Sequence, residues 1–97
     1  MVEAKYKLKF TSVSLKDIKN FDNTTQIRII DELNKLLKSP YNINKDIKKL
    51  KGINKKIYSL RLGDLRIIYF LSDTELVVLR IIDRKDLMKI IDSIKRS

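Results

Sequence analysis

Residues 57 to 71 constrain this chain more than any other stretch. Ile57-Tyr58-Ser59-Leu60-Arg61-Leu62 and Leu65-Arg66-Ile67-Ile68-Tyr69-Phe70-Leu71 are runs rich in apolar and β-branched residues, parted only by Gly63-Asp64. Two such runs around a dipeptide that tolerates positive φ read as a β-hairpin with a two-residue turn. A loop of that length fixes the pairing: Leu62 opposite Leu65, Arg61 opposite Arg66, Ser59 opposite Ile68 and Ile57 opposite Phe70. Alternation then places Tyr58, Leu60, Leu62, Leu65, Ile67 and Tyr69 on one nearly apolar face. The other face carries Arg61 and Arg66 side by side, with Ile57, Ser59, Ile68 and Phe70 behind them. Like charges directly opposite destabilise a strand pair by a few tenths to about 1 kcal/mol. Keeping two guanidinium groups in that position points to an anion as their partner.

The 97 residues form one domain, with 43% hydrophobic residues for its core; a chain of this size buries about 60–70% of its unfolded surface. Neither cysteine nor histidine is present. This excludes disulfides, thiolate nucleophiles, Cys/His zinc sites and imidazole acid–base catalysis, and the expectation is a protein without metal or cofactor. No apolar run approaches the roughly 20 residues of a membrane span, and Met1-Val2-Glu3-Ala4-Lys5 lacks the order of a signal peptide. A soluble, cytoplasmic protein with no membrane partner is therefore expected.

Twenty-two Lys and Arg against twelve Asp and Glu give a net charge of +10. Basic residues at 45, 48, 49, 51, 55, 56, 61 and 66 face only Asp46 and Asp64 in that interval, whereas Asp22 to Lys38 is near balance. Charge concentrated just before and within the hairpin favours a polyanion, nucleic acid above all.

Elsewhere the chain alternates as Lys5-Tyr6-Lys7-Leu8-Lys9-Phe10, which predicts a half-exposed strand near a sheet edge with Tyr6, Leu8 and Phe10 inward. Ser14, with Asp17 three residues on, suits the cap of a short helix whose inner side is Ile18 and Phe21. Asp22-Asn23 ends it and starts the next, from about Thr24 to Lys38, with Ile27, Ile30, Leu33 and Leu37 at helical spacing and Ile29 and Leu36 widening the stripe. Ser39-Pro40 stops that helix. Tyr41 to Lys56 shows no clean period; Ile43, Ile47, Leu50 and Ile53 suit a loop or a short helical turn with the lysines outward. A turn at Ser72-Asp73-Thr74 leads to Glu75–Ile82, whose near-continuous apolar run suits the most buried strand. Leu87, Ile90, Ile91 and Ile94 then mark a last helix from about Lys85 to Lys95. The order is strand, two helices, three strands, helix: an α+β domain on an antiparallel meander, with a helical hairpin on one face and a C-terminal helix.

These elements carry a set of local motifs: Lys49-Leu50-Lys51-Gly52, then Tyr58-Ser59-Leu60-Arg61-Leu62-Gly63-Asp64-Leu65-Arg66-Ile67-Ile68-Tyr69, Val77-Val78-Leu79 and Asp83-Arg84-Lys85-Asp86. Over essentially its whole length the chain resembles the RelE/ParE toxin superfamily. The resemblance implies a RelE-like fold and the toxin of a type II toxin–antitoxin system. RelE-like members cleave mRNA on the ribosome and are neutralised by an antitoxin; ParE-like members share the fold and poison DNA gyrase. By position, the family's basic residue before the Gly-Asp turn matches Arg61, the arginine after it Arg66, and the basic residue after the last strand Arg84. Asp83 stands where the family often has His or Lys, Leu87-Met88 where it has a tyrosine, and Ser59 where some members have lysine.

RNA is cut without a metal when its own 2′-OH attacks the adjacent phosphorus, and planar, permanently charged guanidinium groups suit the charge that develops there. The resemblance therefore assigns catalysis to Arg61 and Arg66 at the scissile phosphate, and Arg84 at the same phosphate or the leaving oxygen. Lys49, Lys51, Lys55, Lys56 and Lys85 would hold flanking RNA with salt-sensitive affinity. Arginine is a poor general base; Asp83 and Asp86 are proton-transfer candidates that also suit helix capping, and Tyr58 and Tyr69 suit the core. Arg80 joins either the site or the sheet edge. A basic concavity beside exposed Ile and Phe would accept an amphipathic acidic segment, as a cognate antitoxin provides. The expected partners are thus that antitoxin, the ribosome and mRNA. The other readings are a gyrase poison and a silent homologue acting through its antitoxin.

Overall fold

The computed structural model describes residues 6–38, 46–53 and 56–96. Strand β1 (Lys7–Phe10) is followed by helices α1 (Ser12–Lys19) and α2 (Asn23–Leu36) and strands β2 (Ile47–Lys49), β3 (Ile57–Leu62), β4 (Leu65–Leu71) and β5 (Glu75–Asp83). A 3-10 turn (Arg84–Asp86) leads into helix α3 (Leu87–Arg96). The five strands form one sheet in the order β1-β5-β4-β3-β2. The α+β class, the helical hairpin on one face and the C-terminal helix all match the expectation.

The hairpin register is the expected one at every position, from Ile57↔Phe70 through Arg61↔Arg66 to Leu62↔Leu65. Gly63 has φ 60°, and no non-glycine residue among those described has positive φ. Positive φ at the first turn position and negative at the second is the type II′ pattern, whose twist matches that of the strands. Tyr58, Leu60, Ile67 and Tyr69 join Leu76, Val78 and Ile81 against Ile18, Ile29, Leu33 and Leu36 of the helical hairpin. On the opposite face Ile57, Ile68, Leu50 and Ile82 form a second cluster beneath Leu87, Ile90, Ile91 and Ile94 of α3.

Several elements depart from the sequence reading. Residues 47–49, read as loop or helical turn, are strand β2, which pairs antiparallel with β3; three residues are too few to display a period. The first strand does lie at an edge, but it runs parallel to β5, so only four of the five strands form the antiparallel meander. Thr11 rather than Ser14 caps α1: its Oγ1 accepts from the Ser14 N–H at 3.0 Å, and Ser14 Oγ, fully buried, donates to Thr11 O at 3.0 Å. Asp22 caps α2 as expected, accepting from the Thr25 N–H at 2.8 Å. The buried stripe of α2 is Ile29, Leu33 and Leu36, while Ile27 is 61% exposed and Ile30 36%. Both candidate stripes contain Leu33 and satisfy helical spacing, so periodicity does not choose between them. The uninterrupted buried runs are Ile57–Leu60 and Ile67–Tyr69, not β5, where buried and half-buried residues alternate. A bulge explains part of this: Ile68 pairs with Arg80 but Tyr69 with Val78, leaving Leu79 as the extra residue. The expected stop at Ser39-Pro40 and the anchor Ile43 lie outside the described residues.

Candidate functional site

The hairpin turn and the end of β5 come together because β5 pairs with β4 as far as Leu65↔Asp83. One residue later the Arg84 N–H donates to Asp64 O at 2.8 Å, tying the start of the 3-10 turn to the hairpin turn. Asp83 caps that turn, its Oδ1 accepting from the Lys85 N–H at 3.0 Å, so capping is its role. Arg61, Arg66, Arg84 and Lys85 thus belong to one end of the sheet.

Arg61 and Arg66 face each other across β3 and β4. The Arg61 N–H points the other way, donating to Asp46 O at 2.7 Å. Arg61 and Arg66 are therefore a non-hydrogen-bonded pair, the closer class, with β-carbons about 4.5–5.5 Å apart. The two guanidinium groups settle differently. Arg66, half-buried, folds over the turn, with Nη1 donating to Gly63 O at 3.0 Å and Leu65 O at 2.9 Å. Arg61 is exposed and lines a shallow concavity of about 350 Å3 with Glu32, Asp46, Leu62 and Gly63. It makes no ion pair among the described residues. Arg84 is also exposed, its Nε 3.8 Å from Asp64 Oδ1, a solvated contact that contributes little stability. Three guanidinium groups therefore stand around one turn, none neutralised by a buried carboxylate.

The lysines form a second group. Lys49 pairs across the sheet with Tyr58, three residues from Arg61, or about 10 Å along a strand. Lys48, Lys49 and Lys51 are exposed and border an open hollow of about 540 Å3 floored by Leu50, Gly52 and Ile53; Lys56, exposed, precedes β3. Lys55 lies outside the described residues. The structure brings Lys85 to the arginines and sets Lys49, Lys51 and Lys56 apart from them along β3.

Arg80 does not join the arginine group. Its Nε donates to Asp17 Oδ2 at 2.8 Å and its Nη2 to Oδ1 at 3.3 Å. The same Oδ2 accepts from the Ile81 N–H at 2.9 Å. Asp17 is thereby a clasp for the bulge and not part of a capping box. Arg80 also lines a groove of about 770 Å3 under α3, with Phe70, Leu79, Ile90, Ile94 and Lys95. Every apolar residue of α3 that packs here is only half-buried. Lys95 crosses this groove to Gly52, where a β-carbon would lie 3.3 Å from its Cε and Nζ.

The tyrosines belong to the core, as the register implied. Tyr58 and Tyr69 stack with centroids 5.5 Å apart and planes at 14°. Burial, with a smaller contribution from Tyr58, pushes the Tyr69 phenol well above its ordinary value of 10.0, which removes it from proton transfer at neutral pH. The carboxylates Glu32 and Asp46 beside Arg61 were not singled out by sequence reasoning. Asp46 directly precedes β2, and only recognition of that strand would have placed it there.

A family model described as the ParE toxin of the type II toxin–antitoxin system parDE matches residues 8–94. Among solved structures, the chain is similar to the archaeal RelE–RelB complex from Pyrococcus horikoshii OT3, with 26% identity, a TM-score of 0.71, and coverage of 82% of this chain and 96% of that one. It is likewise similar to the RelB–RelE antitoxin–toxin complex from Methanococcus jannaschii, at 27% identity and TM-score 0.67, covering 84% of this chain and 96% of that one. The isolated Escherichia coli RelE toxin, at 23% identity and TM-score 0.68 over 89% and 98% of the two chains, shares the fold. No curated protein matches the chain. Among the described residues no helix is long and apolar enough to cross a membrane.

Proposed function

Because the chain belongs to the ParE toxin family of type II toxin–antitoxin systems, within the RelE/ParE superfamily, we propose that it is a toxin that cleaves mRNA on the ribosome, restrained by a cognate acidic antitoxin. The observation that carries this reading is the arginine group at the hairpin turn, with Arg61 and Arg84 exposed and Arg66 half-buried. Arg61 and Arg66 are held together by strand register, and Arg84 is held beside them by its backbone bond to Asp64.

In the reaction, the 2′-oxygen attacks the neighbouring phosphorus, the bond from phosphorus to the 5′-oxygen breaks, and a cyclic phosphate and a 5′-hydroxyl result. Arg61 and Arg66 bind the non-bridging oxygens as charge grows on them, and Arg84 stabilises the departing oxygen. Preorganised donors of this kind supply several kcal/mol to a transition state. The proton leaving the 2′-OH and the one reaching the 5′-oxygen pass through water or groups of the ribosome–mRNA complex, since a guanidinium holds its proton. Lys49, Lys51, Lys55, Lys56 and Lys85 bind RNA on either side. The antitoxin places acidic side chains against this basic edge, and the site of action is the cytoplasm.

A second reading is a non-nucleolytic toxin of the ParE kind, directed at DNA gyrase. Two observations favour it: the matching family model is that of ParE, and the chain has no histidine. Primer-extension mapping of mRNA on translating ribosomes after induction separates the two. Cuts at fixed positions within codons, lost in Arg66→Ala, support the nuclease; intact mRNA with broken DNA supports the gyrase poison and overturns the nuclease.

A further inference from the structure

Four of the five large hydrophobic side chains exposed among the described residues lie on the helical hairpin: Val13, Leu15, Ile27 and Ile30. On α2 they fall into a pattern. Asn23, Ile27, Ile30 and Asn34 recur at spacings of four, three and four residues, all four exposed. That is the spacing of a helix–helix seam, with an apolar centre and an amide at each end. None of the four is charged, and the helix around them is balanced, with Arg28 and Lys35 against Asp31 and Glu32.

We propose that this seam is the contact between two copies of the chain, packed as an antiparallel pair of α2 helices about a two-fold axis between Ile27 and Ile30. The seam is self-complementary in that arrangement, as an isologous contact requires. Ile27 of one copy packs on Ile30 of the other, and Asn23 meets Asn34, each twice. Charge argues for the occupant as well. Two chains of +10 each repel wherever their basic edges approach, and α2 is a neutral face on which they can meet. An acidic partner would find no net charge there to attract it. The pairing of amides fixes the register at some cost in stability.

A seam of three turns lies at the weak end of protein interfaces, so dissociation at roughly 10–100 μM is expected. Sedimentation velocity of the purified chain across that range tests it. The expected result is a reversible shift from monomer to dimer, weakened at least about tenfold in Ile27→Asp, with an unchanged circular-dichroism melt showing that the variant folds. An Ile27→Cys/Ile30→Cys variant, in a chain with no other cysteine, should form a covalent dimer under mild oxidation. A monomer at every concentration overturns the proposal, as does a dimer indifferent to Ile27→Asp. Loss of antitoxin binding in Ile27→Asp with no change in self-association also overturns it, since the seam would then belong to the antitoxin.

Discussion

Arg80 of β5 grips Asp17 of α1 through two hydrogen bonds, of 2.8 and 3.3 Å, while the same carboxylate caps the Ile81 N–H. Helix α1 thus covers the edge of β5 where β1 has ended. Asp17→Ala removes the acceptor for three donors, and Arg80→Ala removes two of those donors and leaves the carboxylate on Ile81. Asp17→Ala should therefore cost more, about 1–3 kcal/mol after allowance for the partly exposed arginine, with Arg80→Ala at about half that loss. Urea unfolding of both variants and the double variant measures the coupling.

The phase of α2 supplies a second test. Leu33→Ala empties a fully buried position and should cost about 2–5 kcal/mol. Ile27→Ala at micromolar protein concentration should stay within about 0.5 kcal/mol. Equal effects would restore the stripe that the sequence suggested first.

That stripe shows where sequence reading reaches its limit. The hairpin was legible because a two-residue turn sets register locally and alternation sets faces, and both come from neighbours in the chain. The same holds for Asp22 and Asp83 as caps. The orientation of α2, the strand identity of residues 47–49, the parallel partner of β1 and the Arg80–Asp17 clasp depend on which distant surface is available. Ser14, two turns of logic from a plausible cap, is buried because Thr11 sits three residues earlier and takes that role. In the candidate site, the adjacency of Arg61 and Arg66 was readable and that of Arg84 came by resemblance, whereas the carboxylates beside Arg61 arrive through tertiary structure.

Arg66→Ala should lower mRNA cleavage by about 10²–10³-fold, the usual loss for one preorganised donor. Its hydrogen bonds are to carbonyls of the exposed turn, so stability should move by no more than about 1 kcal/mol. Single-turnover cleavage on programmed ribosomes, read beside thermal melts, checks both parts.

The lysine group predicts a different signature. Lys49→Ala should weaken binding to single-stranded RNA without regard to sequence and flatten the salt dependence by about 0.7 in log–log slope. Filter binding over a series of salt concentrations reports the slope, and an unchanged slope removes Lys49 from the interface.

Tyr69 makes stability fall at alkaline pH. Its phenol keeps its proton in the folded chain above the ordinary value of 10.0. As pH rises past that value, the unfolded state binds fewer protons than the folded one, and unfolding becomes easier. Phenolate absorbance during titration should show one component appearing only with unfolding, and that component should be missing in Tyr69→Phe.

The pairing of β1 with β5 has a consequence for synthesis. Thr11 and Leu79, bonded through the Thr11 hydroxyl at 3.2 Å, are 68 residues apart, and the first strand has no other neighbour in the sheet among the described residues. A nascent chain emerging from the tunnel holds its N-terminal ribbon in waiting while the hairpin forms. Only after the final strand has been translated does the sheet acquire both edges. Arg84 follows that strand immediately, so the last of the three guanidinium groups is placed at the moment the architecture closes, and an incomplete translation product lacks the third arginine of the proposed site.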